Sequence, residues 1–542
     1  SFQVNTKANK VEIKKAVEAA YGVSVEKVRT INVRPDRKTK FTKTGVQHGK
    51  TNAVKNVVIA GGGTAGWMAA AALAKLIGKN IHVTLVESDD IGTVGVGEAT
   101  IPPIRTFHKL LGINEQAFMK ATQASFKLGI SFENWGDENT RYIHSFGATG
   151  KECWAGEFHH FWLQGKTLGI HNPFGDYCYE LQAAKAGKFA FNQQNPINYA
   201  YHMDATRYAL FLREFSEPLG VKRVEGKIQK VVKSANTGHI ESLLLNSGEK
   251  INGDFFIDCT GFRGLLIEQA LHTGYEDWSH LLPCNSAIAV QTKSTSNTVL
   301  PLTRSIAHKS GWQWRIPLQS RVGNGLVYCS QYMDDEQAKA LLLNNIEGET
   351  LTEPRVIKFK TGRRLKGWNK NCLALGLASG FVEPLESTSI HLIMSGIIRF
   401  MRLFPFNDIT NHAIDEYNKQ LKSEIENIRD FIVLHYKVTN RDDSEFWQHC
   451  SAMEVPKTLK HKIDLFKQTG RVFLDDGDIF RVDSWVQVML GQGIVPEQHH
   501  LIASMMSDEE LARFLHGIKQ QIEQRVSQLP PHHEFLKHYC PA

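Results

Sequence analysis

Three places in this 542-residue chain hold residue types and spacings that can do chemistry. The first is Gly61-Gly62-Gly63-Thr64-Ala65-Gly66, set between the apolar run Val54–Ala60 and an alanine-rich stretch, Trp67–Leu76. In a strand–turn–helix, Gly61 permits the tight turn, Gly63 lets backbone approach a pyrophosphate, and Gly66 lets helix and strand pack closely. The helix start then presents free N–H groups and a positive dipole end to phosphate. A second apolar run, Ile81–Val86, leads into Glu87, 21 residues beyond Gly66, where a carboxylate can accept hydrogen bonds from a ribose diol. A lone G-x-G-x-x-G is weak, but strand, helix and acid in register make a strong dinucleotide fingerprint. The chain shows one, so the site serves FAD or NAD rather than both.

The second place is Lys127, inside Ser125-Phe126-Lys127-Leu128-Gly129-Ile130-Ser131-Phe132. Alternation puts Phe126, Leu128, Ile130 and Phe132 on one face and Lys127 on the other, which by itself favours a solvated lysine. The third is Glu386-Ser387-Thr388-Ser389, ahead of an apolar helix expected from about Ile390 to Leu403. Ser387 or Thr388 suits an N-cap, with Glu386 beside the positive end of the dipole. N–H groups at Thr388 and Ser389 would also suit a small anion. Trp312 and Trp314 share one face of a short strand closed by Pro317, a pattern that core packing explains equally well.

The elements that must position these residues read as an α/β protein. A parallel, Rossmann-like sheet is expected around the glycine turn, with further mixed sheet, and the C-terminal part is mostly helical, with helices over Asn411–Val433 and Asp508–Leu529. The expected division is 1–52, a basic α+β appendage; 53–440, the dinucleotide-binding and catalytic module; and 441–542, a helical part on the substrate side.

Ile91–Pro102 (IGTVGVGEATIP), Phe255–Gly264 (FFIDCTGFRG), Gly311–Pro317 (GWQWRIP) and Asn371–Ile390 (NCLALGLASGFVEPLESTSI), together with GGGTAGW, resemble the flavin-dependent tryptophan halogenase family. GWQWRIP matches its WxWxIP signature. The resemblance runs from about Val54 to about Pro496 and more weakly to the C-terminus. It implies an FADH2-dependent halogenase of the glutathione-reductase and hydroxylase fold type. Such an enzyme uses reduced FAD, O2 and bromide or chloride to make hypohalous acid and halogenate an electron-rich aromatic.

Carried over by position, flavin contacts come from Gly61, Gly62, Gly63, Ala65, Gly66, Glu87, Ser88, Ile91, Val94, Val96, Ala99, Leu377 and Ile390. Ile91–Glu98 matches the family's flavin strap. Lys127 takes the place of the catalytic lysine, hydrogen-bonding hypohalous acid or capturing halogen as a haloamine, and Glu386 that of its partner carboxylate. Thr388 and Ser389 border the halide, although the family usually has Gly where Ser389 stands. Trp312 and Trp314 keep the activated flavin from the organic substrate, and His144, Phe146 and Trp485 face that substrate. Family members that bind free tryptophan carry paired tyrosines here, whereas Phe473–Pro496 reads FLDDGDIFRVDSWVQVMLGQGIVP, with Phe480 and Trp485 as its later aromatics. A more open pocket for indole or an indole derivative is therefore expected. The resemblance also implies a separate NAD(P)H-dependent flavin reductase and no metal, and the spacing of His, Asp and Glu suggests no metal site either.

A hydrophobic content of 42% and a charged content of 22% suit a globular protein. No apolar run approaches the ~18 residues needed to span a bilayer. The eight cysteines include no CxxC pair, so a reducing, cytoplasmic setting without zinc is expected. The net charge of +7 is unevenly spread: residues 1–56 hold 13 Lys/Arg against 4 Asp/Glu, and the remaining 486 hold 50 against 52. Residues 1–52 read as strand, helix, strand and a basic loop, Arg34–Lys50, and resemble part of bacterial large-subunit ribosomal protein L twenty-three. A fusion or tag explains that piece better than a working RNA-binding arm. Two rival readings remain, a flavin-dependent aromatic hydroxylase and an RNA- or ribosome-binding protein. A homodimer is left open.

Overall fold

The computed structural model of the chain describes residues 39–42, 45–48, 53–92, 97–151, 153, 156–191, 196–296 and 298–540. The chain divides into two units, Ser1–Asn52 and Ala53–Ala542. In the first, the described residues form an antiparallel hairpin, Thr39–Thr42 against Gly45–His48. A loop was expected there. Two short segments with β-forming Thr, Phe and Val, joined by two residues, pair instead. The strands and helix expected between Phe2 and Val33 lie outside the described residues.

In the second unit the glycine run joins β1 (Asn56–Ala60) to α1 (Thr64–Ile77), and β2 (His82–Glu87) lies beside β1. The sheet runs Lys222–Glu225, β2, β1, Phe255–Asp258, Cys372–Ala374, Trp368–Asn369, parallel except for its last strand. Apart from Asn56 and Asp258 at their ends, NVVIA, FFID and CLA are apolar, as strands covered on both faces require. Gly66–Ala74 of α1 are all buried, and the alanines let the helix lie close to the sheet.

A seven-stranded sheet forms the second layer, in the order Arg355–Lys358, Ser286–Lys293, Arg321–Tyr328, Gly311–Pro317, Leu302–His308, Gly129–Glu133, Arg141–Ser145. Its WxWxIP strand is central. Between the layers, Ala200–Asp204 pairs with both Gly97–Ala99 and Ser125–Lys127. The expected single strand over Ser125–Phe132 is thus two. Leu128 leaves the ladder to donate to Pro301 O and accept from Phe146 N, and the chain changes sheets there. Both faces become buried, Lys127 included.

Two helices complete the frame, α2 (Ser389–Arg402) and the 27-residue α3 (Asn411–Lys437). Thr410 caps α3 by accepting from Ala413 N. Its inward stripe includes Tyr417, Leu421, Ile425, Ile428, Phe431 and His435, at helical spacing. Asp508–Ser527 is helical as expected. Among the described residues, no helix is long and apolar enough to cross a membrane.

The glycine turn separates fold from ligand. Gly61 has φ +106°, and a Cβ there would lie 2.3 Å from Cys259 O; one at Gly66 would lie 1.9 Å from Gly61 O. A Cβ at Gly63 meets no protein atom within 4 Å, and Gly63 is extended, at φ −75° and ψ −171°. Gly61→Ala is therefore expected to destabilise by more than about 2 kcal/mol. Gly63→Ala is expected to shift Tm by less than about 2 °C while weakening FAD binding at least about tenfold. Thermal melts alongside flavin titration check both.

Candidate active site

A cavity of ≈ 890 Å³ opens in front of the α1 N-terminus. Gly61, Gly62, Gly63, Ala65, Glu87, Ser88, Ile91, Ala99, Leu377 and Ile390 all line it. Gly66 does not, since it serves the helix–strand contact; Val94 and Val96 lie outside the described residues. The glycine run, the empty space at Gly63 and the acid at the end of β2 together fit an adenine dinucleotide. Glu87 accepts from Arg223 Nε at 2.5 Å and from Trp67 Nε1 at 3.4 Å. Arg223 also pairs with Asp89 and Glu225 at 2.6 Å, an anchor that no sequence spacing signals. Glu98 on the cavity wall is a second group the sequence reading missed; burial pushes its carboxyl up to about 7.

At its far end the cavity meets Trp312, Trp314, Ser387 and Ser389. The two tryptophan rings are 6.1 Å apart and buried. Behind this wall lies Lys127, fully buried, its Nζ donating to Ser387 Oγ at 2.8 Å and Thr100 O at 3.1 Å, and 5.2 Å from the Phe146 ring. Ser387 thus touches both the cavity and the lysine. Burial drives the Lys127 amine down to about 7, and the charge of Glu386 opposes the fall.

Glu386 is 1% exposed. His144 Nδ1 lies 2.9 and 3.1 Å from its two oxygens. His435 Nε2 approaches Oε1 to 2.9 Å, too obliquely for a well-directed hydrogen bond, while its Nδ1–H donates to Phe431 O. Burial alone would raise the carboxyl, but His144 and then His435 overcome it and hold Glu386 at about 2. His144 is therefore part of the polar cluster rather than an isolated core histidine. His435 was missed because it sits in an ordinary amphipathic stripe, with no motif around it.

Thr388 is the N-cap of α2, as expected, but no side chain caps the helix. Ser387 is held at φ +59° with its hydroxyl turned to Lys127, and Thr388 Oγ1 has no partner. Leu392 N is the first amide to find an intrahelical carbonyl, leaving the N–H groups of the first turn to other acceptors. Ser389 lines the cavity and Thr388 does not.

On the other side of His144, Phe480 stacks on Phe431 at 3.8 Å, and Trp485 stands edge-on to Phe431 at 4.9 Å. Phe480 is part of this aromatic packing, with only 7% of its surface exposed. Elsewhere, Glu157, His159 and His160 bring candidate ligand atoms within 4.8 Å of one another, a cluster that the sequence reading did not find. His159 Nε2 lies 2.7 Å from Gly470 O and so carries a proton rather than a free lone pair.

Comparison with known proteins gives the family. The tryptophan halogenase family model matches residues 56–508, and the ribosomal protein L23 model matches residues 1–60. Tryptophan 7-halogenase RebH of Lentzea aerocolonigenes is 33% identical, over 89% of this chain and 98% of its own. Xcc4156, a flavin-dependent halogenase from Xanthomonas campestris, superposes with a TM-score of 0.89 at 55% identity, over 90% of this chain and 99% of its own. BrvH, a flavin-dependent halogenase from Brevundimonas sp. BAL3, gives 0.87 at 41%, over 90% and 100%. Residues beyond the N-terminal ribosomal-protein-like piece therefore belong to the tryptophan halogenase family, and the chain is an FADH2-dependent halogenase.

Proposed function

We propose that this halogenase uses bromide or chloride to halogenate indole or an indole derivative rather than free tryptophan, with Lys127 and Glu386 as its catalytic residues. One observation carries the catalytic reading: Lys127 Nζ, wholly buried, is 2.8 Å from the hydroxyl of Ser387, which itself borders the cavity. Reduced FAD, delivered by a separate NAD(P)H-dependent reductase, supplies with O2 the oxidising equivalents that turn halide into hypohalous acid. Gly61–Ala65, Glu87 and Ser88 hold its dinucleotide part, and Ser389 and the start of α2 border the halide.

The chain's own groups then direct the halogen. Lys127, as ammonium, donates a hydrogen bond to the hypohalous oxygen. The substrate carbon bonds to halogen as the halogen–oxygen bond breaks, and Lys127 gives its proton to the departing oxygen, forming water. Glu386, ionised beside His144 and His435, takes the ring proton and returns it to Lys127. Trp312 and Trp314 separate cavity from substrate.

The surroundings of His144 support an apolar heterocycle. Phe431, Phe480 and Trp485 are aromatic, and Phe473–Pro496 contains no tyrosine. The nearby Lys462, 4.7 Å from the Trp485 ring, is paired with Asp475 and Asp478 at 3.0 and 2.8 Å. A free amino acid would compete with those pairs for its own counterions, whereas indole needs none.

With a flavin reductase present, kcat/KM for indole is expected to exceed that for tryptophan at least about tenfold, a gap of ~1.4 kcal/mol. Faster turnover of tryptophan would overturn the substrate assignment. Because the ammonium form of Lys127 is populated below about 7 and lost above it, turnover should fall as pH rises through 7, to roughly a hundredth by pH 9. A rise over that range would assign the reaction to the free amine. Glu386→Gln is expected to lower kcat about 10²-fold, the range of a lost general base, with FAD affinity unchanged.

A further inference from the structure

The loop that carries Glu386 holds a second buried carboxylate, three residues earlier, which the reaction just described does not use. Glu383 has no solvent exposure and adopts φ +66°, a left-handed conformation that non-glycine residues rarely hold without compensation. Its Oε2 accepts two hydrogen bonds, from Trp312 Nε1 at 3.2 Å and from Tyr436 OH at 2.7 Å. Its Oε1 has no partner. Burial pushes the carboxyl up to about 7; Cys284, whose Sγ is 3.8 Å from Tyr436 OH, and Cys329 and Cys450 face the same space.

The partners of Glu383 are what make it informative. Trp312 belongs to the wall at the end of the flavin cavity. Tyr436 is the neighbour on α3 of His435, which reaches Glu386. Two carboxylates of one short loop thus dock on two consecutive side chains of one helix, and the first also grips the wall. Ser387 and its contact with Lys127 lie at the end of that loop, held at φ +59°. A buried carboxylate with one oxygen unsatisfied is destabilising, so plain packing does not account for it.

We propose that Glu383 is a positioning residue for halogen transfer: by tying Trp312 to Tyr436 it sets the loop of residues 382–388, and through it Glu386 and Ser387, relative to Lys127. It acts through these groups and touches neither substrate nor flavin. Releasing it should loosen the placement of Lys127 against the hypohalous acid, and with it halogen transfer to the substrate, without altering how flavin or substrate binds.

The test compares wild type with Glu383→Gln, Glu383→Leu and Tyr436→Phe, each assayed per FAD-loaded enzyme on an aromatic substrate that the wild type halogenates. A dione scavenger in the assay captures any electrophilic halogen that escapes. Glu383→Leu is expected to lower kcat at least tenfold with KM and FAD affinity within twofold, and to raise the share of halogen reaching the scavenger. Glu383→Gln keeps an acceptor oxygen for Trp312 and Tyr436 and should stay within threefold of wild type. Tyr436→Phe, which removes one donor and leaves Glu383 intact, should fall between them and keeps the test open if Glu383→Leu does not fold. A merely structural role would lower the loaded fraction but leave kcat and the scavenger share unchanged, overturning the proposal. Equal losses in Glu383→Gln and Glu383→Leu would also overturn it, because charge rather than the hydrogen-bonded tie would then matter.

Discussion

The placement of a lysine where no water can reach it governs the rest of this structure. A buried ammonium is tolerated only when paired and hydrogen-bonded, and removing its partner leaves an uncompensated charge. Lys127 meets that demand with Thr100 O, Ser387 Oγ and the field of Glu386, yet burial still draws its amine down to about 7. Glu386 faces the complementary problem and solves it with His144 and His435. The result is a chain of mutual support, from the strand carrying Lys127, through the loop before α2, to the middle of α3. Each member is costly alone; together they keep Glu386 ionised and Lys127 charged up to about pH 7.

The fold supplies what that pair needs. A continuous strand through Ser125–Phe132 would have pointed Lys127 away from the apolar face. Because the chain changes sheets at Leu128, the lysine lies between layers, opposite a loop fed from the parallel sheet. The parallel sheet also places the glycine turn at the head of the same cavity whose far end is the tryptophan wall. Dinucleotide site and lysine are therefore separated by side chains rather than by solvent, the arrangement a diffusing, reactive oxidant requires.

Much of this was legible in the sequence where the information is local. The glycine turn, β2 ending at Glu87, and the apolar α2 depend on neighbours within a few residues, and the structure shows each of them. The WxWxIP strand and the residues around Glu386 were legible through family resemblance, since nothing in their spacing alone distinguishes a reactive site from a helix start. What the sequence hid is long-range. The burial of Lys127 comes from Thr100 and Ser387, the cluster around Glu386 from His144 and His435, and the burial of Phe480 from Phe431. The missing side-chain cap on α2 belongs with these, because Ser387 is turned towards Lys127 instead of its own helix.

The central claim is that Lys127, as ammonium, directs electrophilic halogen from hypohalous acid to an aromatic ring. The most direct measurement incubates wild type and Lys127→Ala with FAD, a flavin reductase, NADH, O2, bromide or chloride, and indole, and reads the products by mass spectrometry. The result expected is a bromine or chlorine isotope pattern on the indole with wild type and its loss with Lys127→Ala, while flavin binding persists. A hydroxylated indole with no halogen pattern, or halogenation that survives Lys127→Ala, would contradict the account.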